Sequence, residues 1–195
     1  MFNKYNVLDS DILVYDTKND NFELLKKYFY KYLTDEEILK IEKFQNLEDR
    51  ILHLLSFSIP KIELAKLLNK EARDIIILRE DNKRPVYKDY DYNFSVSHSG
   101  TYLAFVLDKK NVGLDIEVRQ KRDLKALEFV ATKDEILEAN DFDDKYELWT
   151  FKEAYSKYLG KGIGRYLQDF NKNNIDCLCQ TIFINHLVIT LVKEK

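Results

Sequence analysis

Cysteine is nearly absent from this sequence, and its scarcity argues against a fold held by disulfides. Cys177 and Cys179 are the only two cysteines in 195 residues, and a bridge between residues two apart would be badly strained. Two thiolates supply half of a zinc site, and no nearby cysteine or histidine completes a familiar ligand spacing. We therefore favour two strand residues that face the same way over a metal pair. We expect a protein of the reducing cytoplasm.

Long apolar runs and an excess of basic residues are also missing. No stretch approaches the ~18 consecutive apolar residues of a membrane span, and residues 1–10 show no secretory signal pattern. Lys and Arg number 31 against 34 Asp and Glu, which argues against non-specific binding to nucleic acid. We expect neither a membrane nor a nucleic acid as partner, and an anionic substrate would need locally placed cations.

Glycine and proline are few and unevenly placed. The five glycines all follow residue 99, whereas the two prolines, Pro60 and Pro85, precede it. Glycine serves where backbone turns sharply or approaches something closely, so we expect the chemistry to lie after residue 94. Hydrophobic residues make up 45%, with 13 Tyr and 12 Phe. This composition is typical of a folded chain with a substantial core.

Apolar periodicity predicts alternating strands and helices in the first half. Thr34 and Glu37 form a capping-box pattern, and Pro60 should kink its helix or begin a new first turn. In chain order we predict a strand at 12–15, helices at 22–33, 35–45 and 47–68, a strand at 75–78 and a turn at 82–85.

The second half begins with a predicted strand at 94–97, broken by His98-Ser99-Gly100. Residues 102–107 and 112–118 flank the polar turn 108–111, a pattern that predicts a β-hairpin. Two helices, 123–138 and 143–159, a glycine-rich segment and short strands within 181–192 follow.

Three acidic residues in this half are candidates for a metal site. Strand alternation puts Asp115 and Glu117 on one face, and helical geometry puts Glu153 beside Lys157. Each pair alone is typical of a solvated surface. Together they offer the carboxylates that Mg²⁺ takes from proteins and a cation suited to phosphate.

Ser97 and His98 add a third polar feature. A Ser–His–Asp hydrolase would need a G-x-S-x-G elbow, which the sequence lacks, and adjacent strand residues point to opposite faces. We interpret this segment as one that binds an anionic ligand by hydrogen bonds and charge.

Taken in order, these segments resemble the 4′-phosphopantetheinyl transferase superfamily, in its longer monomeric class of the surfactin-synthetase-activating type. The resemblance is carried by Phe94–Gly100, Val112–Glu117 and Trp149–Gly162, and it extends more weakly to 82–85 and 44–50. It implies transfer of the 4′-phosphopantetheine arm of coenzyme A to a serine of an acyl or peptidyl carrier protein, with release of 3′,5′-ADP.

The resemblance also implies a fold and a set of roles. The fold is α+β, a pseudo-symmetric monomer of two similar α/β halves, 1–108 on the nucleotide side and 109–195 on the magnesium side, with the active site between them. The implied metal ligands are Asp115, Glu117 and Glu153, the implied catalytic residues are Glu153 and Lys157, and the implied coenzyme A contacts are Lys40, Arg84, Ser97, His98 and Lys157.

Two positions depart from the family pattern. Lys83 stands in place of a turn glycine, and Glu37 stands at a second basic position of the early helix. Lys43, Lys61 or Lys83 could supply the missing charge. The segment 163–167 and the surroundings of Phe142 are candidate docking surfaces for the carrier protein.

Two other functions are compatible with the same residues. A catalytically silent coenzyme A-binding module would keep the fold, and a hydrolase of the coenzyme A pyrophosphate would use the same metal. Retention of all three carboxylates and Lys157 favours the transferase.

Overall fold

The computed structural model describes residues 2–79, 84–120 and 125–195. The candidate cation Lys83, the first half of the turn predicted at 82–85, and the predicted helix start at 123 lie outside these residues.

The described chain forms nine strands and six α-helices. The strands are β1 (Asn3–Val7), β2 (Ser10–Asp16), β3 (Ile77–Leu78), β4 (Val86–Tyr87), β5 (Asn93–Ser99), β6 (Tyr102–Asp108), β7 (Val112–Val118), β8 (Leu178–Ile184) and β9 (Leu187–Lys193). The helices are α1 (Phe22–Phe29), α2 (Asp35–Glu42), α3 (Leu47–Leu68), α4 (Leu127–Val130), α5 (Lys133–Glu138) and α6 (Phe142–Tyr158). In the described parts of the chain, no helix combines the length and apolarity that crossing a membrane requires.

Local sequence signals fix several helix ends. The predicted capping box is confirmed, because Glu37 N donates to Thr34 Oγ1 and Thr34 N donates to Glu37 Oε2. A second box, Thr132 with Glu135, opens α5. It divides the helix predicted at 123–138 into α4 and α5, because Ala131 is extended.

Pro60 lies inside α3 without ending it, so the prediction of a new first turn there is wrong. Proline removes one helical N–H and frees the carbonyl four residues earlier. Here that carbonyl belongs to Ser56, and it accepts a hydrogen bond of 3.1 Å from Arg79 Nη2. A side chain from outside the helix thus replaces the lost bond.

The strands form two main antiparallel sheets and a small third one. The first sheet has the order β1-β2-β6-β5, the second has the order β7-β9-β8, and β3 pairs with β4. The hairpin predicted between 102–107 and 112–118 is wrong, because β6 lies between β2 and β5 and has no free edge. The chain therefore leaves the first sheet after Asp108, and β7 pairs with β9 in the second.

Apolar residues from the facing sides of the two sheets form a shared core. Ile12 and Val106 of the first sheet meet Leu114 and Ile189 of the second, and all four are fully buried. The opposite face of the first sheet is covered by α3, and that of the second by α6. Each half is therefore an antiparallel sheet with a long helix on its outer side, and the predicted α+β class with two lobes is confirmed.

Candidate functional site

The site lies where the edge strand β5 of the first sheet runs beside β7 of the second. Serine side chains make the contact instead of a backbone ladder. Ser95 Oγ accepts from Leu114 N at 3.0 Å, and Ser99 Oγ accepts from Val118 N at 3.1 Å. Because the bonds follow the same order along both strands, β5 and β7 run in the same direction. This junction fixes the polar face of β7 against the neighbouring sheet.

Asp115 is buried at this junction and is bound from both halves. Ser97 Oγ donates to Asp115 Oδ1 at 2.7 Å, and Lys157 Nζ lies 2.8 Å from the same oxygen. The second oxygen, Oδ2, is buried and has no hydrogen-bond partner among the described residues. The Asp115 carboxylate therefore keeps an unused acceptor in the interior of the site.

Glu153 approaches the same lysine from α6. Its Oε2 lies 3.8 Å from Lys157 Nζ, one helical turn away. Burial raises the pKa of Glu153 above its ordinary value of 4.5, and the Asp115 carboxylate adds to the shift, while Lys157 opposes it and Glu117 reinforces it. Lys157 thus faces the buried Asp115 carboxylate and the partly buried Glu153 carboxylate at once, and the local charge is negative.

Two neutral donors bind the Glu117 carboxylate. Ser99 Oγ donates to Oε2 at 2.6 Å, and Trp149 Nε1 donates to Oε1 at 3.0 Å. Alternation along β7 behaves as the sequence predicts, because Leu114 and Ile116 enter the shared core while the two acids face α6. In the described chain, no three acidic, histidine or cysteine side chains already form a metal cage.

A cleft of about 390 Å³ extends from Lys157 into the N-terminal half. Its walls include His98 of β5, His53 of α3 and the glycine-rich segment after α6. The two imidazole rings lie 6.2 Å apart, edge to face, and His53 stacks on Phe44 at 3.8 Å. Burial lowers the pKa of both histidines, and their mutual repulsion adds to the shift of His53, as repulsion from Lys157 does for His98. An anion bound in the cleft would therefore favour the protonated, positively charged form of both histidines.

Arg84, one of the coenzyme A contacts that the resemblance implies, lines this cleft and also holds the two halves together. Its guanidinium donates to Phe94 O at 3.2 Å and to the side chain of Asn111. Asn111 in turn donates to Tyr158 O at the end of α6, at 3.0 Å. Arg84 therefore connects β5 to the C-terminus of α6 while facing the cleft.

Lys40 does not line this cleft. It is exposed, pairs with Glu36 at 2.8 Å and lies in a neighbouring groove of about 300 Å³. Phe57 and Arg79 line both spaces and separate them. The structure thus brings together Ser97, His98, Arg84, Lys157 and the three carboxylates, and leaves Lys40 apart.

The candidate substitutes for Glu37 are placed differently from one another. Lys61 is buried and lies 2.6 Å from Glu37 Oε2, so its charge is already used inside the helical layer. Lys43 follows α2 as its C-cap and is exposed. Neither residue contributes to the walls of the cleft.

The segment after α6 is held by a buried lysine. Lys152 has no exposed side-chain surface and binds Glu135 at 2.7 Å and the Leu167 carbonyl at 2.9 Å. Within the candidate docking segment 163–167, Ile163 is exposed while Leu167 is fully buried. Leu167 is therefore a core residue and is unavailable to a partner.

Two cleft residues, His53 and Arg79, were missed by the sequence analysis. His53 stands one turn from Asp49 and from Phe57 on α3, and a polar residue interrupting an apolar helix face was the available signal. Arg79 directly follows β3, but nothing in the local pattern shows that its side chain turns toward α3.

Both halves of the chain match the same protein family. Residues 22–110 match a family model described as "4′-phosphopantetheinyl transferase, N-terminal", and residues 111–189 match one described as "4′-phosphopantetheinyl transferase superfamily".

Curated relatives point the same way. The 4′-phosphopantetheinyl transferase Sfp of Bacillus subtilis (strain 168) is 27% identical over 150 residues, which cover 73% of this chain and 67% of the relative. The transferase gsp of Aneurinibacillus migulanus is 28% identical over 127 residues, 62% of this chain and 53% of the relative. A Haemophilus influenzae protein provisionally given the same transferase name is 33% identical over 154 residues, 72% of this chain and 61% of the relative. The chain thus spans between about half and two thirds of the length of these relatives.

Proposed function

Because the chain belongs to the 4′-phosphopantetheinyl transferase superfamily, we propose that it transfers the 4′-phosphopantetheine arm of coenzyme A to a serine of an acyl or peptidyl carrier protein. The serine oxygen forms a bond to the β-phosphorus of the coenzyme A pyrophosphate. The bond from that phosphorus to the bridging oxygen breaks, and 3′,5′-ADP leaves.

The observation that carries this proposal is the meeting of Asp115, Glu153 and Lys157 at one end of the cleft. Lys157 Nζ lies 2.8 Å from Asp115 and 3.8 Å from Glu153. A pyrophosphate entering the cleft would meet Lys157, with the two acids that Lys157 contacts directly behind it. Phosphoryl transfer depends mainly on positioning and charge stabilisation, and this end of the cleft offers both.

Magnesium fits the donors present. Asp115 Oδ2 is buried without a hydrogen-bond partner, and two acids share one lysine, so a divalent cation would offset local negative charge. We propose Asp115, Glu117 and Glu153 as the residues that hold it. The chemistry such an ion supplies is neutralisation of the pyrophosphate and of the charge that develops on it.

We assign the proton acceptor to Glu153. Its pKa is raised by burial and by Asp115, which suits a base that must accept a proton near neutral pH. It takes the hydroxyl proton of the carrier serine directly or through a water molecule. Lys157 holds phosphate oxygens, and Ser97 keeps Asp115 in place through its 2.7 Å hydrogen bond.

We expect the N-terminal half, 1–108, to bind the nucleotide and the C-terminal half, 109–195, to carry the metal and catalytic residues. For the carrier protein we propose a surface that includes the exposed Ile163 and the surroundings of Phe142. We also expect a cytoplasmic monomer. Gel filtration tests the oligomeric state, and crosslinking to a carrier tests the surface.

Mass spectrometry of apo-carrier proteins tests the function directly. Incubation with coenzyme A, Mg²⁺ and a panel of apo-carriers should add one phosphopantetheine to the serine of at least one carrier. A folded protein that labels none of them would contradict the proposal. Breakdown of coenzyme A without any carrier would instead indicate a hydrolase.

A further inference from the structure

Arg79 is a cleft residue that makes few polar contacts with the described residues. Its guanidinium lies 4.0 Å over the Phe57 ring, and its single hydrogen bond among the described residues goes from Nη2 to Ser56 O. Nε is buried without a partner, and Arg79 forms no ion pair in the described part of the chain. An arginine offers five N–H donors in a planar fork, so most of its binding capacity remains available.

Among the residues that the structure describes, no acid forms an ion pair with Arg79. The acid whose charge acts on it, Glu37, is already bound to the buried Lys61 at 2.6 Å. Burial lowers the pKa of Arg79 to about 10, so the side chain stays charged at neutral pH. A buried cation without a partner destabilises the fold unless an anion compensates for it.

Neighbouring charged side chains define the position of Arg79 along the cleft. Lys157 binds Asp115 at one end and repels His98, which lies 6.2 Å from His53. His53 is in turn repelled by Arg79. Arg79 therefore lines the cleft on the far side of the two histidines from Lys157 and its carboxylates.

Coenzyme A carries its phosphates in two places, the pyrophosphate and the 3′-phosphate of the ribose. Resting on the proposed function, we propose that Arg79 binds the 3′-phosphate and so determines the preference for coenzyme A over 3′-dephospho-coenzyme A. The fork of the guanidinium matches two oxygens of one phosphate. The hydrogen bond to Ser56 uses one N–H and leaves the others for the ligand.

The test compares Arg79→Gln with wild type on both substrates. We expect the KM for coenzyme A to rise roughly tenfold or more, because a charge-assisted pair is lost. The KM for 3′-dephospho-coenzyme A should change by less than about twofold, because that substrate never makes the contact. Arg73→Gln is the matched control: Arg73 is exposed, lies outside the cleft, and should leave both values within about twofold of wild type.

A purely structural role for Arg79 predicts a different result. If Arg79 only stabilises α3 beside Pro60, Arg79→Gln will impair both substrates equally, and that outcome overturns the inference. The inference is also overturned if Arg79→Gln retains the wild-type preference for coenzyme A over 3′-dephospho-coenzyme A. Arg79→Lys retains the charge and should keep part of the preference for coenzyme A. This variant replaces Arg79→Gln in the test if Arg79→Gln does not fold.

Calorimetry separates this inference from the proposed function. Wild type should bind 3′,5′-ADP at least about tenfold more tightly than 5′-AMP, and Arg79→Gln should lose most of that difference. This measurement requires no carrier protein. Absence of carrier labelling by wild type would therefore contradict the transferase, whereas equal binding of the two nucleotides by wild type would contradict the role of Arg79.

Discussion

At the scale of single residues, the site is built from contacts between its charged side chains and neighbouring hydroxyl groups. Lys157 stands between Asp115 and Glu153, while Ser97 and Ser99 hold the carboxylates of β7 with hydroxyl donors. Hydroxyl donors fix the orientation of these acids at β7. Asp115 Oδ2 has no hydrogen-bond partner among the described residues, so this oxygen can accept a further bond.

Replacing Glu153 with glutamine should abolish transfer and preserve the fold. The amide has nearly the same shape but accepts no proton at neutral pH, so we expect a loss of about 10³-fold or more in the labelling rate. The measurement is carrier labelling by mass spectrometry, with circular dichroism to check the fold. Glu147→Gln, on the same helix but paired with Lys172 near the surface, is the matched control. Normal labelling by the Glu153 variant would remove its role as base.

The two cysteines should react slowly in the folded protein. Burial raises the pKa of Cys177 and Cys179 to about 11, so the thiolate is scarce at neutral pH. We expect alkylation by iodoacetamide at pH 8 to be about 100-fold slower than in urea, and to rise with pH up to about 11. Equal rates in the two conditions would show that the thiols are neither buried nor protonated.

At the scale of elements, the close packing of α6 on β7 brings Glu153 and Lys157 to the acidic strand. Gly113 makes this possible, because a Cβ there would lie 2.1 Å from Ala154 O and 2.4 Å from Tyr158 N. Both neighbours are backbone atoms of α6 and cannot rotate away. The spacing between Glu153 and Asp115 is therefore set by a residue without a side chain.

Gly113→Ala should separate α6 from β7 and destabilise the protein. We expect a loss of about 3 kcal/mol or more in the free energy of unfolding, since overpacking against backbone forces the elements apart. Urea denaturation measures it. Gly162→Ala is the control, because a Cβ there meets no atom within 4 Å, and its effect should stay within about 0.5 kcal/mol. Equal stabilities of the two variants would contradict the packing argument.

At the scale of the whole molecule, a shared core and a partly buried ion pair join the two sheets. Lys193 at the end of β9 lies 2.7 Å from Asp108 at the end of β6, and it also donates to Ser10 Oγ at 2.9 Å. Ser10 in turn donates to Asp108 at 2.6 Å. These contacts connect the two halves next to Asp108, where the chain passes from the first sheet to the second.

The Asp108 cluster should make stability depend on acid. Burial alone would raise the pKa of Asp108, but hydrogen bonds from Lys193 and Ser10 outweigh it, and the folded pKa lies below 3.8. A lowered folded pKa stabilises the fold above the unfolded pKa, and this contribution disappears as the pH falls below about 4. Asp108→Asn should therefore cost about 1–3 kcal/mol at pH 7 and much less near pH 2. A cost that stays constant between these pH values would contradict this linkage.

The sequence by itself determined what depends on neighbours along the chain. Capping boxes at Thr34 and Thr132 use residues three apart, and the alternation that turns Asp115 toward α6 repeats every two residues, so both are visible in local patterns. The ordered motifs were also sufficient to identify the family and the class of fold.

Only the tertiary structure decided which strands pair and which cations face the cleft. β6 and β7 are adjacent in sequence, and their pattern is typical of a hairpin. In the structure, however, β6 pairs with β2 on one edge and with β5 on the other. Arg79 reaches the cleft because Pro60 frees a carbonyl on α3, a contact across 23 residues that no local pattern contains. Strand pairing and the partners of charged side chains depend on distances between residues that are far apart in sequence. These distances are set only when the sheets and helices pack together.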